Sequence, residues 1–140
     1  MLTLPIPAGL LSRRINAYSE TGAARKRAFH KDGRRFLRRL AAAVGLPKGS
    51  FDVRSNSGGI AVSGEVTLHS DTLYVQLYES VCRSGVAVLY RRCRGQRDYC
   101  GEANFFADPA ALEDAERMER FVRTLRVLGG LVPNDGRLAA

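Results

Sequence analysis

Residues 60–92 read IAVSGEVTLHSDTLYVQLYESVCRSGVAVLYRR, a run that alternates apolar and polar residues and breaks at Ser, Asp and Gly. A period of two is the signature of strands with one face buried. Ile60 to His69 therefore predicts a long strand, Thr72 to Glu79 a second and Val86 to Arg92 a third. Ser70-Asp71 and Cys82-Arg83-Ser84-Gly85 supply the turns. Phe51 to Arg54, ahead of Ser55-Asn56-Ser57-Gly58-Gly59, adds a short strand at the start. Ile60, Val62, Val66 and Leu68 fall on one face with Gly64, and Ser63, Glu65, Thr67 and His69 fall on the other. Leu73, Val75 and Leu77 then point inward, and Tyr74, Gln76 and Tyr78 outward. The prediction is an antiparallel β-meander of about four strands with one apolar and one polar, aromatic side.

Working outward, the chain places a helical pattern on each flank. Phe29, Phe36, Leu37, Leu40 and Val44 keep to one stripe of a 3.6-residue period, and Gly45 and Pro47 end the pattern. From Pro109 to Leu128 a second stripe holds Leu112, Ala115, Met118, Phe121, Val122 and Leu125, with Asp108 placed to cap it and Gly129-Gly130 to end it. Both helices should cover the apolar side of the sheet, which gives an α+β fold of order αββββα in two layers. The 140 residues, 45% of them hydrophobic, suit one domain. Residues 133–140 have little to bury and should fray.

Charge is the feature that points to function. The formal net charge is +8, and Arg25, Lys26, Arg27, Lys31, Arg34, Arg35, Arg38 and Arg39 face the single acid Asp32 in the first helix. Seven of the eight excess charges thus sit in one segment. Arg27, Lys31, Arg34 and Arg38 line the side opposite the apolar stripe, and Arg35 and Arg39 flank the stripe. Such a cluster attracts a polyanion or an acidic protein face. In the second helix Glu113, Glu116 and Glu119 precede Arg117, Arg120 and Arg123 by four residues, the mixed pattern of a structural surface.

Two further regions are candidates for binding. On the polar sheet face, Tyr74, Gln76 and Tyr78 can stack bases or form a protein interface if the face is open. The alternative is that residues 1–20, with Leu10, Leu11, Ile15 and Tyr18, fold over that face and bury it. The stretch from Cys93 to Asn104 has neither period and exceeds the usual connection of about 4 to 6 residues. Within it Arg94 and Arg97 suit phosphate or carboxylate, and Asp98 either orients an arginine or makes a turn.

Catalysis and metal binding find little support. Cys82, Cys93 and Cys100 form no C-x-x-C pair, and four convergent ligands cannot be assembled from them with His30 and His69. A Cys93–Cys100 disulfide fits the spacing but not a reducing compartment. His69, just before a turn, reads as an exposed polar residue. No glycine-rich segment opens a helix as a phosphate loop does. The expectation is a protein without cofactor or enzymatic activity, a small Cys/His enzyme being the remotest reading. Met1 to Leu11 is apolar but broken by Pro5 and Pro7, with no basic n-region, and falls short of the roughly 20 residues that span a bilayer. A cytoplasmic protein with no membrane partner is expected.

The runs Phe29-His30-Lys31-Asp32-Gly33-Arg34-Arg35-Phe36-Leu37-Arg38, Asp52-Val53-Arg54-Ser55-Asn56 with Gly58-Gly59, and Arg94-Gly95-Gln96-Arg97-Asp98-Tyr99 resemble small accessory proteins of phages, plasmids and other bacterial mobile elements. The resemblance implies a class that often redirects or inhibits host machinery by binding, CRISPR effectors and restriction enzymes included. Many such inhibitors are acidic mimics of nucleic acid, and this chain departs from that pattern by being basic. The partners this implies are nucleic acid, a host nucleoprotein complex or an acidic protein surface.

Overall fold

The computed structural model describes residues 4–7, 9–11, 15, 22–59, 62–80, 85–100 and 102–131, Ala111 by its backbone alone. The chain runs α1 (Gly22–Val44), β1 (Phe51–Asn56), β2 (Glu65–Ser70), β3 (Leu73–Glu79), β4 (Val86–Arg92), β5 (Phe105–Ala107), α2 (Pro109–Leu112) and α3 (Ala115–Leu128). The strands form one antiparallel sheet in the order β1-β2-β3-β4-β5. The fold is α+β as the periodicities predict, with five strands in place of four. Phe105–Ala107 lies just beyond the stretch expected to be a loop, and three residues are too few to register a period.

The α1 C-terminus follows its sequence signals. Gly45 adopts φ +92 and Leu46 donates its N–H to the Ala41 carbonyl at 3.0 Å, the left-handed closure that glycine favours. α1 packs on β1 and β2, and α3 lies beside it. The close approach of α1 needs Gly33, because a Cβ there would meet the Val66 side chain at 3.1 Å. On the α3 side, Phe121 meets the Tyr90 ring edge at 5.3 Å. Phe29, Phe36, Leu37, Leu40, Val66, Leu68, Val75, Leu77, Met118 and Leu125 join one core between helices and sheet. Its apolar burial supplies the main stabilisation of the fold.

Four expectations need correction. The helix expected over Pro109 to Leu128 breaks after Leu112, and Asp114 caps α3 by accepting from Arg117 N at 2.9 Å, so Ala115 opens α3 and is exposed. Asp108 caps the short α2 instead, accepting from Ala110 N at 3.0 Å. β2 starts at Glu65, not at residue 60, and Val62 is 49% exposed; Ile60 lies outside the described residues. The strand cannot start earlier because Gly64 turns the chain at φ +74, hard against the Asn56 carbonyl.

Part of the N-terminal segment is described. Leu10, Leu11 and Ile15 are buried in the common core, and Leu10 shares a groove with Leu112 and Met118. Leu11 accepts from Val86 N at 2.9 Å, and Ile15 N donates to Glu79 Oε2 at 2.6 Å. Leu10, Leu11 and Ile15 thus lie on the helix side of the sheet; residues 12–14 and 16–20, with Tyr18, and residues 133–140 lie outside the described residues.

Candidate binding surfaces

The polar side of the sheet is built from three cross-strand rows. Register places Asp52, His69, Tyr74 and Arg91 in one row, Arg54, Thr67, Gln76, Leu89 and Phe106 in the next, and Asn56, Glu65, Tyr78 and Ala87 in the third. Side chains in such rows touch their neighbours, so each row is a chemical unit.

The first row is closed over by the loop that follows β4. Arg91 sets its guanidinium carbon 4.3 Å from the Tyr74 ring centroid and donates from Nη2 to the Asp98 carbonyl at 2.9 Å. Tyr74 is only 9% exposed and donates its hydroxyl to Gln76 Oε1 at 2.7 Å. Burial raises its phenol pKa. The ring expected to stack a base or anchor a partner is therefore already stacked under Arg91. Gln76 and Tyr78 are half-buried on the open part of the face.

His69 is 0% exposed, against the expectation of an exposed polar residue. Its ring contacts Tyr74 and Tyr99 edge-on at 5.0 and 5.5 Å. Nδ1 faces Arg54 Nη2 at 2.8 Å, and Arg54 Nη1 donates to the Tyr99 hydroxyl at 2.9 Å. Burial and the Arg54 charge hold the imidazole below its ordinary pKa, against a pull from the Gly95 backbone. Parity alone made His69 outward-facing; the sequence did not reveal that residues 96–99 fold back onto it.

That loop is held by its own polar groups. The Asp98 carboxylate accepts from Arg94 N at 3.0 Å and from Cys100 N at 3.2 Å, and Gln96 Nε2 donates to the Ser50 carbonyl at 3.2 Å. Asp98 thus makes the turn, as one of its two expected roles requires, and Arg94 and Arg97 are exposed. Cys93 is buried with Sγ donating to the Ser70 carbonyl at 3.2 Å, and burial raises its thiol pKa. Cys93 and Cys100 are free thiols; Cys82 lies outside the described residues. Among the described residues no three His, Cys, Asp or Glu come together as metal ligands would.

On the opposite side of the molecule, α1 presents its cations. Arg25, Arg27, Lys31, Arg35, Arg38 and Arg39 are exposed. Arg34 is not part of that outer ridge: it donates from Nη1 to Ser55 Oγ at 2.6 Å. It belongs to a row one helical turn apart, Lys26, His30 and Arg34, that fastens α1 to the end of β1 and to the β1–β2 connection. Lys26 Nζ donates to the Gly59 carbonyl at 2.9 Å, and His30 bonds Ser55 Oγ at 3.1 Å and the Ser63 carbonyl at 2.8 Å. Burial, opposed by the Ser63 bond and aided by the Lys26 and Arg34 charges, lowers the His30 pKa. A helical wheel puts Arg34 one turn from His30, and only the position of Ser55 decides which of the two sides it joins.

The exposed aromatic surface lies elsewhere than expected. Tyr99 and Phe106 are each 62% exposed, and Phe105 stacks on Tyr90 at 5.5 Å while remaining largely exposed. No family model, curated protein or solved structure matches the chain. Among the described residues no helix is long and apolar enough to cross a membrane.

Proposed function

We propose that the protein is a non-catalytic, cytoplasmic binding protein of a bacterial mobile element that acts through the outer face of α1 on nucleic acid or on a nucleoprotein complex. The observation that carries this reading is the exposure of Arg27, Lys31, Arg35, Arg38 and Arg39 on one helix whose only acid is Asp32. Like charges at i,i+4, such as Arg27 with Lys31 and Arg35 with Arg39, cost an isolated helix roughly 0.2 to 0.5 kcal/mol per pair. Neutralisation by a phosphate backbone removes that cost and releases counterions, which makes affinity steeply salt-dependent.

The test is binding of short labelled duplexes and single strands across a salt series, with Arg27, Lys31 and Arg38 reversed to Glu in a companion variant. Tight binding whose logarithmic salt slope falls by about 0.9 for each lost duplex phosphate contact supports the reading. Absence of binding by the native protein at moderate salt sinks it.

A second reading has its own observation. Phe106 stands exposed beside Leu89 on the open sheet face, the kind of apolar anchor that protein interfaces use. An inhibitor of a host defence system, of anti-CRISPR or anti-restriction type, would dock there on a protein surface. Phe106→Asp would then abolish inhibition while leaving the salt-dependent binding of free nucleic acid intact.

A further inference from the structure

We infer that the loop carrying Arg94, Arg97 and Tyr99 is a second nucleic-acid contact, specific for single strands, in which one base stacks on Tyr99 and its neighbouring phosphates meet the two arginines. The inference rests on the reading of the protein as a nucleic-acid binder, and it adds both a site and a strand preference that the α1 ridge does not supply.

Tyr99 combines two properties that rarely occur together on a loop. Its ring is 62% exposed, yet it is held at both ends: the hydroxyl accepts from Arg54 Nη1 at 2.9 Å, and the ring meets His69 edge-on at 5.5 Å and 77°. The Arg54 guanidinium carbon lies 5.6 Å from the ring centroid. An apolar ring fixed in water has no folding benefit from its exposed surface. It does have a binding benefit, because the entropy of ordering the side chain is lost on folding and not on association.

The loop around Tyr99 is equally fixed. Both Asp98 carboxylate oxygens accept backbone N–H groups, Arg91 of β4 donates to the Asp98 carbonyl, and Gln96 donates to the Ser50 carbonyl just ahead of β1. Within residues 94–99 the exposed charges are those of Arg94 and Arg97. The Asp98 carboxylate is engaged by the turn, while Asp52, Asp71 and Glu102 are exposed acids of the neighbouring segments. Arg54 adds a further positive charge beneath the ring. An aromatic platform beside backbone-facing cations is the physical arrangement that holds unpaired bases.

Strand preference follows from stacking. A base within a duplex already has neighbours on both faces and cannot offer one to Tyr99, whereas a single strand can. Phosphates of either form reach α1 by charge alone. The two contacts lie on opposite sides of the sheet, so substitutions separate them.

The experiment measures affinity for labelled oligothymidine and for a short duplex, using the native protein, Tyr99→Ala, Tyr99→Phe and the variant with Arg27, Lys31 and Arg38 reversed. Tyr99→Ala should weaken oligothymidine binding roughly 5- to 150-fold, the range for losing one stacked base. Duplex binding should stay within about twofold, and Tyr99→Phe should retain most of the single-strand affinity. Oligothymidine should also quench tyrosine emission, which is readable because the chain has five Tyr and no Trp. Equal oligothymidine affinity of native protein and Tyr99→Ala overturns the inference and leaves the α1 reading standing on its own reversed variant. Equal loss for strand and duplex in Tyr99→Ala, with an unchanged melting temperature, overturns it too, since the loop would then not discriminate. Failure of the native protein to bind either probe overturns both readings.

Discussion

Arg54 donates from Nη2 to Nδ1 of His69 across 2.8 Å, a bond that only a neutral imidazole can accept. His30 has one ring nitrogen on the Ser63 carbonyl and the other on Ser55 Oγ. Both histidines have pKa values lowered by folding, chiefly through burial. Below the unfolded value near 6.5 the unfolded chain therefore holds more protons than the folded one, and stability rises with pH. These are the only two histidines in the chain. Thermal melts should show stability falling from pH 7.5 to pH 5, with a slope that cannot exceed about 1.4 kcal/mol per pH unit for each histidine. Replacing His69 with Gln should reduce the slope; an unchanged slope in that variant would show that the imidazole is not held neutral.

Glu79 is the second polar group that folding depends on. It follows Leu73, Val75 and Leu77 at inward parity, and its two oxygens accept from Ser63 Oγ and Ile15 N, each at 2.6 Å. Hydrogen bonds to a charged group contribute about 1.5 to 3 kcal/mol. Glu79→Ala should destabilise by about that much or more, and Glu79→Gln by less, because a single amide oxygen can still accept. Chemical denaturation of the two variants checks the order; equal losses would mean that neither the shape of the amide nor its remaining acceptor replaces the carboxylate at this position.

Alternation and helical stripes were enough to reveal the layers, the order of the four longer strands and the end of α1 at Gly45. They could not reveal β5, since Phe105–Ala107 is shorter than the window in which a period becomes visible. They also could not say which outward residues are covered. His69, Tyr74 and Arg91 share a register row, and that row is buried by Gln96, Asp98 and Tyr99 from a segment with no period at all. The charge cluster on α1 was legible by composition. The exception of Arg34 was not, because its partner Ser55 is twenty-one residues away and on another element.

Gly64 is where a substitution should be least tolerated. Its φ is +74, and an added Cβ would strike the Asn56 carbonyl, a backbone atom that cannot rotate away. Gly64→Ala should cost more than about 2 kcal/mol, beyond the usual effect of a surface change. Gly59 in the same connection has open space around a Cβ, and Gly59→Ala should be nearly neutral. Comparable melting temperatures for the two variants would contradict the turn geometry.

The cations of α1 divide into those that hold the fold and those that face water, and mutation should separate them. Arg34 bonds Ser55 Oγ at 2.6 Å and Lys26 bonds the Gly59 carbonyl at 2.9 Å, so Arg34→Ala should cost roughly 1 kcal/mol in stability. Arg38 is exposed four residues from Arg34, and Arg27 four from Lys31, so removing either relieves repulsion between like charges. Arg27→Ala and Arg38→Ala should thus leave stability unchanged or slightly raised while weakening any polyanion binding and flattening its salt dependence. Arg34→Ala should do the reverse in degree, lowering the melting temperature more than the affinity. Melting curves and salt-dependent binding to heparin, a polyanion without bases, measure both properties on the same four proteins. Equal stability losses across all three variants would show that the ridge and the Lys26-His30-Arg34 row are not separate.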